Sequence, residues 1–181
     1  AKSLMCAPNG RASRPAARGK WHLGGGQGLE PQARGFDRFF GFLSGMHDYF
    51  QAGDKEWGPI MRGREKGELK DDLSFALADE ATAIIRQPAT RPFFIYLAFN
   101  ATHTPLQAPE VYLQKTAHLP PPARRKNMAM MLALDDAVGR VMTALRESGK
   151  EEQTLVLFVS DNGAALVKGS SENGGSNAPL R

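Results

Sequence analysis

The sequence predicts an α/β domain organised around a largely parallel sheet with helices packed against it. Two apolar runs carry that reading, Phe93-Phe94-Ile95-Tyr96-Leu97-Ala98-Phe99 and Leu155-Val156-Leu157-Phe158-Val159, each preceded by a segment of helical periodicity. Continuous rather than alternating apolar residues are the mark of strands buried on both faces of a parallel sheet. The order helix, strand, loop, helix, strand is the one that parallel α/β sheets repeat. A length of 181 residues suits one ordinary domain, or a piece of a larger one, and is too short for two full α/β domains.

Taken in order, residues 1–19 are poor in apolar side chains and broken by Pro8, Gly10 and Pro15, so they read as loop or flexible terminus without core. Gly24-Gly25-Gly26-Gln27-Gly28 has almost nothing to pack and reads as a turn or mobile loop. The aromatics of Phe36-Asp37-Arg38-Phe39-Phe40-Gly41-Phe42-Leu43 wedge that segment against the domain without specifying a regular structure. Residues 51–70 are polar and Gly-rich and predict a surface loop. From Asp72 onward, Leu73, Leu77, Ala81, Ile84 and Ile85 recur at helical spacing, with Asp71 and Asp72 suited to the N-terminus and Pro88 ending the run. Residues 93–99 predict a central strand. A Pro-rich excursion through Pro105, Pro109, Pro120, Pro121 and Pro122 leads to a long helix from about Arg124. Its stripe is Met131, Leu134, Val138, Val141 and Leu145, closed by Ser148-Gly149. Residues 154–160 predict a second buried strand.

With 41% hydrophobic and 23% charged residues and a mean hydropathy of −0.38, the chain is globular rather than wholly disordered or collagen-like. Its apolar runs are too short to span a bilayer. The single cysteine, Cys6, excludes a disulfide within the chain and leaves the redox compartment open. The charge of +4 comes from 23 basic and 19 acidic residues. Much of it lies early, where Lys2, Arg11, Arg14, Arg18, Lys20, Arg34 and Arg38 face Glu30 and Asp37. Such a stripe attracts polyanions, yet no aromatic-interleaved basic run or zinc-finger spacing accompanies it, which argues against a nucleic-acid partner. No signal peptide is visible and the first residue is not Met, so the chain reads as mature, trimmed or cut from something longer.

Ligands of parallel α/β sheets gather at the carboxyl ends of the strands. There the sequence places Asn100-Ala101-Thr102-His103-Thr104-Pro105 after one run and Asp161-Asn162-Gly163 after the other. Asp161 and Asn162 offer a carboxylate and a carboxamide oxygen side by side, a hard pair of the kind that holds Ca²⁺ or Mg²⁺; the tripeptide is equally what an ordinary turn uses. His103 is placed to give a proton to a leaving group or to meet an anion, or is simply a solvated loop histidine. Gly19-Lys20-Trp21-His22-Leu23-Gly24 brings an ammonium and an imidazole into one glycine-bracketed segment, a pairing able to neutralise a tetrahedral oxyanion such as phosphate or sulfate; the other reading is a basic turn anchored by Trp21. His47, beside Asp48 and Tyr49, and His118, beside a proline run, read as surface or supporting groups.

Six strings in one order give the chain a family resemblance. They are Gly19-Lys20-Trp21-His22-Leu23-Gly24, then Arg34-Gly35-Phe36-Asp37-Arg38-Phe39-Phe40-Gly41 with Asp48-Tyr49-Phe50, then Pro92-Phe93-Phe94-Ile95-Tyr96-Leu97 with His103-Thr104-Pro105-Leu106-Gln107-Ala108-Pro109. Leu134-Asp135-Asp136-Ala137-Val138-Gly139, Ser160-Asp161-Asn162-Gly163 and Asn177-Ala178-Pro179-Leu180-Arg181 complete the set. From Gly19 to its last residue the chain resembles the sulfatases of the alkaline-phosphatase-like superfamily, in particular arylsulfatases of the N-acetylgalactosamine-4-sulfatase type.

The resemblance implies hydrolysis of an aryl or carbohydrate sulfate ester outside the cytoplasm, with a sulfated small molecule or glycan as partner. It implies a formylglycine nucleophile made from cysteine or serine, and Ca²⁺ to polarise the sulfate oxygens. Carried over by position, Lys20 resembles the sulfate-binding cation, His22 the partner of the formylglycine hydroxyl, and His103 the histidine near the leaving oxygen. Asp161 and Asn162 resemble two calcium ligands. The implied fold is part of an alkaline-phosphatase-like sandwich, a largely parallel central sheet flanked by helices, lacking the first strand and the C-terminal part. Residues 19–181 form the partial catalytic domain and residues 1–18 a flexible or unrelated segment. Cys6-Ala7-Pro8-Asn9-Gly10-Arg11 has one residue too many before the arginine for the family's Cys-x-Pro-x-Arg, which argues against Cys6 as the modified residue. Nothing before Lys20 replaces the adjacent aspartates that complete the family's calcium shell, so these residues are expected to turn over little ester alone. A sulfated-glycan-binding module and a phosphoesterase of the same superfamily are the other two readings. A sheet without its first strand is also expected to expose an edge prone to association.

Overall fold

A computed structural model describes residues 14–88, 92–120, 122–164 and 174–179. Its main sheet has three parallel strands: β1 (Arg14–Lys20), β2 (Arg38–Phe42) and β7 (Phe93–Ala98). Between β2 and β7 the chain forms four two-residue strands, β3 (Gly53–Asp54), β4 (Gly58–Pro59), β5 (Met61–Arg62) and β6 (Glu65–Lys66). β5 and β6 extend the main sheet in antiparallel sense, giving the order β6-β5-β2-β1-β7, while β3 and β4 pair separately. Helices α1 (Leu73–Ile85), α2 (Glu110–Lys115) and α3 (Pro122–Glu147) complete the fold. The mixed, mostly parallel sheet with flanking helices is the predicted class.

Helix α1 starts where the sequence places it. Asp72 caps it, its carboxylate accepting the Ser74 N–H at 2.8 Å, which satisfies one of the otherwise orphaned first-turn donors. Leu73, Leu77 and Ala78 are buried against Phe40 and Phe42 of β2 and against α3, and Ala81 is buried one turn on. On the other sheet face Ala17, Trp21, Phe36 and Phe39 form a smaller cluster.

Several expectations are corrected. The segment before Gly19 was expected to be loop without core, yet from Arg14 it is the strand between β2 and β7, with Ala16 and Ala17 buried. Pro15 is tolerated because it sits at the strand's start, where a missing N–H costs least. Arg18 is buried against α1, its Nε 3.6 Å from the Glu80 carboxylate, which also takes Arg62 Nη2 at 2.6 Å. Phe36 to Leu43 contains strand β2, and residues 51–70 carry four short strands and the fully buried Ile60 rather than a plain surface loop. Among the described residues β7 is an edge strand, not a central one. Its Phe94 and Tyr96 are 43% and 42% exposed, covered only on one side by tilted contacts with Phe36.

Over its first half helix α3 buries a face one position away from the predicted stripe, at Met130, Ala133 and Ala137, and it meets the stripe at Val141 and Leu145. Ala129, Met130, Ala133, Ala137, Ala144 and Leu145 are buried, Val141 packs at the margin, and Met131 is 45% exposed. Alanines draw the helix close to α1, and close approach selects the small-residue face over the one with larger side chains. Residues 154–160, expected as a buried strand, form none: Leu155, Leu157, Phe158 and Val159 are 74–85% exposed. Their composition is that of a strand, but among the described residues no strand lies beside them, and composition without a neighbour makes no ladder.

Two consequences are testable. Gly19 has a φ of +102°, and a Cβ built on it would overlap the Ala98 carbonyl oxygen, so Gly19→Ala is expected to cost roughly 2–4 kcal/mol of stability, read as a lower urea midpoint. Leu157→Lys, at 78% exposure, is expected to shift stability by no more than about 0.5 kcal/mol while reducing dye binding to apolar surface and self-association in sedimentation velocity. A large stability loss would mean that Leu157 is packed.

Candidate functional site

Parallel strands end on the same side of a sheet, and the register here makes those ends coincide. Gly19 pairs with Gly41 on one side and Ala98 on the other, and Lys20 pairs with Phe42. The ladder continues past the strands, with Trp21 N–H donating to Phe42 C=O at 3.0 Å and His22 N–H to Leu43 C=O at 3.2 Å. Trp21 is buried, its indole N–H donating to Leu29 C=O at 2.8 Å and its ring edge-on to Phe36 at 5.8 Å. Alternation then leaves Lys20 half-buried and His22 exposed at the edge. His22 has a φ of +46°, and its ring rests so closely on Gly45 that a Cβ there would lie 2.8 Å from it. Among the described residues, no carboxylate lies within ion-pair distance of Lys20.

His103 follows β7 at the same edge, its N–H donating to Asn100 C=O at 2.8 Å. A buried network ties its loop to residues 47–51. Gln107 donates through Nε2 to Asp48 Oδ2 at 2.7 Å and accepts the Tyr49 N–H at 2.9 Å. Tyr49 O–H donates to His103 C=O at 3.0 Å, and Asn100 Nδ2 to His47 C=O at 3.0 Å. The other Asp48 oxygen accepts the Phe50 and Gln51 N–H groups at 2.8 and 2.9 Å. Burial pushes the Asp48 carboxyl up, but the Gln107 amide and those two N–H groups outweigh it and hold it below the usual carboxylate range. Burial, helped by Asp72, pushes the Tyr49 phenol well above its ordinary value, so it stays a donor to His103. His47 is fully buried, so of the two expected readings, surface or supporting group, it takes the supporting one, its carbonyl accepting the Asn100 amide.

Asp161 and Asn162 are exposed. Ser160 O–H donates to Asn162 C=O at 2.6 Å, and the turn is held at Ala164 by Asn177, which accepts its N–H at 2.6 Å and donates to its C=O at 2.8 Å. Among the described residues no hydrogen bond or ion pair links either side chain to Lys20, His22 or His103, and no three His, Cys, Asp or Glu side chains converge on a metal position. One carboxylate and one carboxamide fall short of the six to eight oxygens Ca²⁺ takes, so these residues do not make a calcium site by themselves. Cys6 lies outside the described residues.

The sulfatase family model matches residues 14–180. The chain belongs to the sulfatase family. Arylsulfatase J of Mus musculus is 34% identical over 174 residues, covering 90% of this chain and 28% of the relative. N-acetylgalactosamine-6-sulfatase of Mus musculus is 33% identical over 178 residues, covering 90% of this chain and 32% of the relative. The chain thus spans about a third of the length of these relatives. Among solved structures, that of Ps i-CgsB in complex with k-i-k-neocarrahexaose matches with a TM-score of 0.81 at 30% identity, covering 93% of this chain and 40% of that one. The fold of these neighbours is the alkaline-phosphatase-like one.

In this sulfatase chain the network of Asp48, Tyr49, Asn100 and Gln107 is what sequence reasoning missed. The strings Asp48-Tyr49-Phe50 and His103-Thr104-Pro105-Leu106-Gln107 were both visible, but nothing local says that residues 58 or 59 positions apart are partners. A depressed carboxylate contributes stability that is present above its unfolded value, near 3.9, and is lost as pH falls through the folded one. The 47–51 and 100–107 loops are therefore expected to stay joined at neutral pH and to separate in strong acid. Gln107→Leu is expected to part them at neutral pH, at a cost of about 1–3 kcal/mol, seen as faster amide exchange at Tyr49 and His103. Unchanged exchange at both would show that the network holds nothing.

Proposed function

We propose that this chain carries the sulfate-ester-binding edge of a sulfatase acting on aryl or carbohydrate sulfate esters in an extracytoplasmic compartment. What supports the roles is the register of the parallel strands: Lys20 ends β1, His22 follows it and His103 follows β7, and the carboxyl ends of these strands lie at one edge. Lys20 supplies the positive charge for the sulfate oxygens, free of any carboxylate among the described residues. His22 stands as the donor and acceptor toward the attacking hydroxyl, and His103 as the group that gives a proton to the departing ester oxygen. Asp161 and Asn162 would contribute two oxygens to a Ca²⁺ that polarises the sulfate oxygens, a shell that the described residues do not complete. Ps i-CgsB is in complex with k-i-k-neocarrahexaose in its solved structure, and a carbohydrate sulfate is accordingly the substrate class favoured here.

The incomplete oxygen set favours a second reading of these residues alone, in which they bind the sulfated group without releasing it. Titration with 4-nitrophenyl sulfate separates the two, since binding with little or no nitrophenol release is expected. Lys20→Ala is expected to weaken that binding about tenfold or more, from the roughly 1.5–3 kcal/mol of a charged hydrogen bond. Equal affinity in the variant, or faster release from 4-nitrophenyl phosphate than from the sulfate, would sink the proposal.

A further inference from the structure

The His47 ring is enclosed by protein, and both of its nitrogens face backbone carbonyls. Nδ1 lies 2.8 Å from Asp48 C=O, and Nε2 lies 3.0 Å from Gly58 C=O at the start of β4. A carbonyl oxygen only accepts, so each contact needs a proton on the nitrogen. A neutral imidazole carries one such proton, on either nitrogen, and an imidazolium carries two. In either neutral tautomer a ring lone pair would point at a carbonyl lone pair where water does not reach, which is costly. The imidazolium alone makes both bonds.

The surroundings suit that charge. The Phe42 ring, at the end of β2, has its centroid 5.2 Å from that of His47, within the reach of about 6 Å over which an aromatic ring attracts a cation. The Asp48 carboxylate is on the next residue, and the His47 charge helps to keep it ionised. From the other elements, β4 presents the Gly58 carbonyl, and the loop after β7 presents the Asn100 amide, whose Nδ2 donates to His47 C=O. Lys55 and Glu56 of the β3–β4 turn and His103 of the β7 loop are exposed, while Tyr49 and Asp72 are buried titratable groups of the same region. Asn100 in turn accepts the His103 N–H through its own C=O. We infer that His47 works as a buried imidazolium pin, a positioning residue that ties β4 to the segment beneath the His103 loop and slackens when it loses its proton. The charge state stands apart from the sulfate reading of the edge, whereas the use made of His103 rests on it. Because the folded chain holds the protonated ring, the hold is complete at the acid end of the histidine range, about pH 5 to 8, and is lost as pH rises. That is the opposite sense to the Asp48 contribution.

Nitrogen-15 NMR of the full chain labelled at histidine, together with amide exchange, tests the pin. Both His47 ring nitrogens are expected to carry protons at about pH 5.5, and one to give its proton up by about pH 8.5. Over that interval, with the intrinsic pH dependence of exchange divided out, protection is expected to fall about fivefold, the scale of one hydrogen bond, at two amides. These are Ile60, which donates to Ala52 C=O, and His103. The Tyr49 N–H, held by Gln107, keeps its protection. His47→Gln, whose side chain has no proton for pH to remove, is expected to show the lower protection at both pH values. A His47 ring with a single proton at about pH 5.5, protection that does not follow its titration, or the same pH dependence in His47→Gln overturns the pin. Should His47→Gln fail to fold, the wild-type ring signals and protection decide by themselves. Neither readout involves a sulfate ester, so a singly protonated ring overturns the pin without touching the sulfate reading, and a chain that binds no sulfate ester does the reverse.

Discussion

The approach of three backbones at Gly19 is the constraint on which the rest depends. Gly19 lies between Gly41 of β2 and Ala98 of β7, and a Cβ on either glycine would overlap a neighbouring carbonyl or backbone atom. Only a residue without a side chain closes that seam, and only with the seam closed do β1, β2 and β7 end level with one another. Lys20 is the next residue, Trp21 plugs into the core, and His22 turns through a left-handed backbone. The side-chain direction of the cation and the imidazole is thus inherited from a packing requirement one to three residues earlier.

A second constraint fixes the β7 side of the same edge. The loop after β7 has no covering strand among the described residues, and its position is set by Asp48, Tyr49, Gln107 and Asn100. These are buried polar groups, costly if left alone and directional when paired. The network fixes the His103 backbone through its carbonyl while leaving the imidazole exposed. Rigidity beneath an accessible side chain is what the proton-donating role proposed for His103 needs.

The legible parts of the fold were those whose signal is local. The Asp72 cap is set two residues on, the α1 face by neighbours three and four residues away, and the β7 run by its own composition. Strand β1 was missed because Pro15, Arg18 and Gly19 each count against a strand. Position redeems all three: Pro15 near the strand's start, Arg18 against Glu80, Gly19 in the seam. The α3 face was misread because alanine weighs little in a pattern of large apolar residues and much in how closely two helices approach. Residues 154–160 fail in the opposite sense, since they have strand composition and no strand beside them. Lys20, His22 and His103 were legible as motifs; what holds His103 in place joins segments more than fifty residues apart and leaves no periodic trace.

The same register disperses a charge pattern that looks continuous in the sequence. Arg38 pairs with Ala16, toward the start of β1, and Arg14 lies at that strand's first residue, both at the end of the sheet away from Lys20. Arg18 is buried and shares Glu80 with Arg62, whose guanidinium also sits 4.7 Å over the Phe40 ring. Burial lowers the Arg18 pKa against the pull of Glu80, so its charge is committed to the interior. Of the described members of the early basic stripe on β1 and β2, Lys20 alone stands at the carboxyl edge. An electropositive track would follow a polyanion's backbone by many weak contacts. A lone half-buried ammonium at the end of a strand, with the imidazoles proposed to act with it, instead suits one compact anion, held by directed donors rather than by net charge.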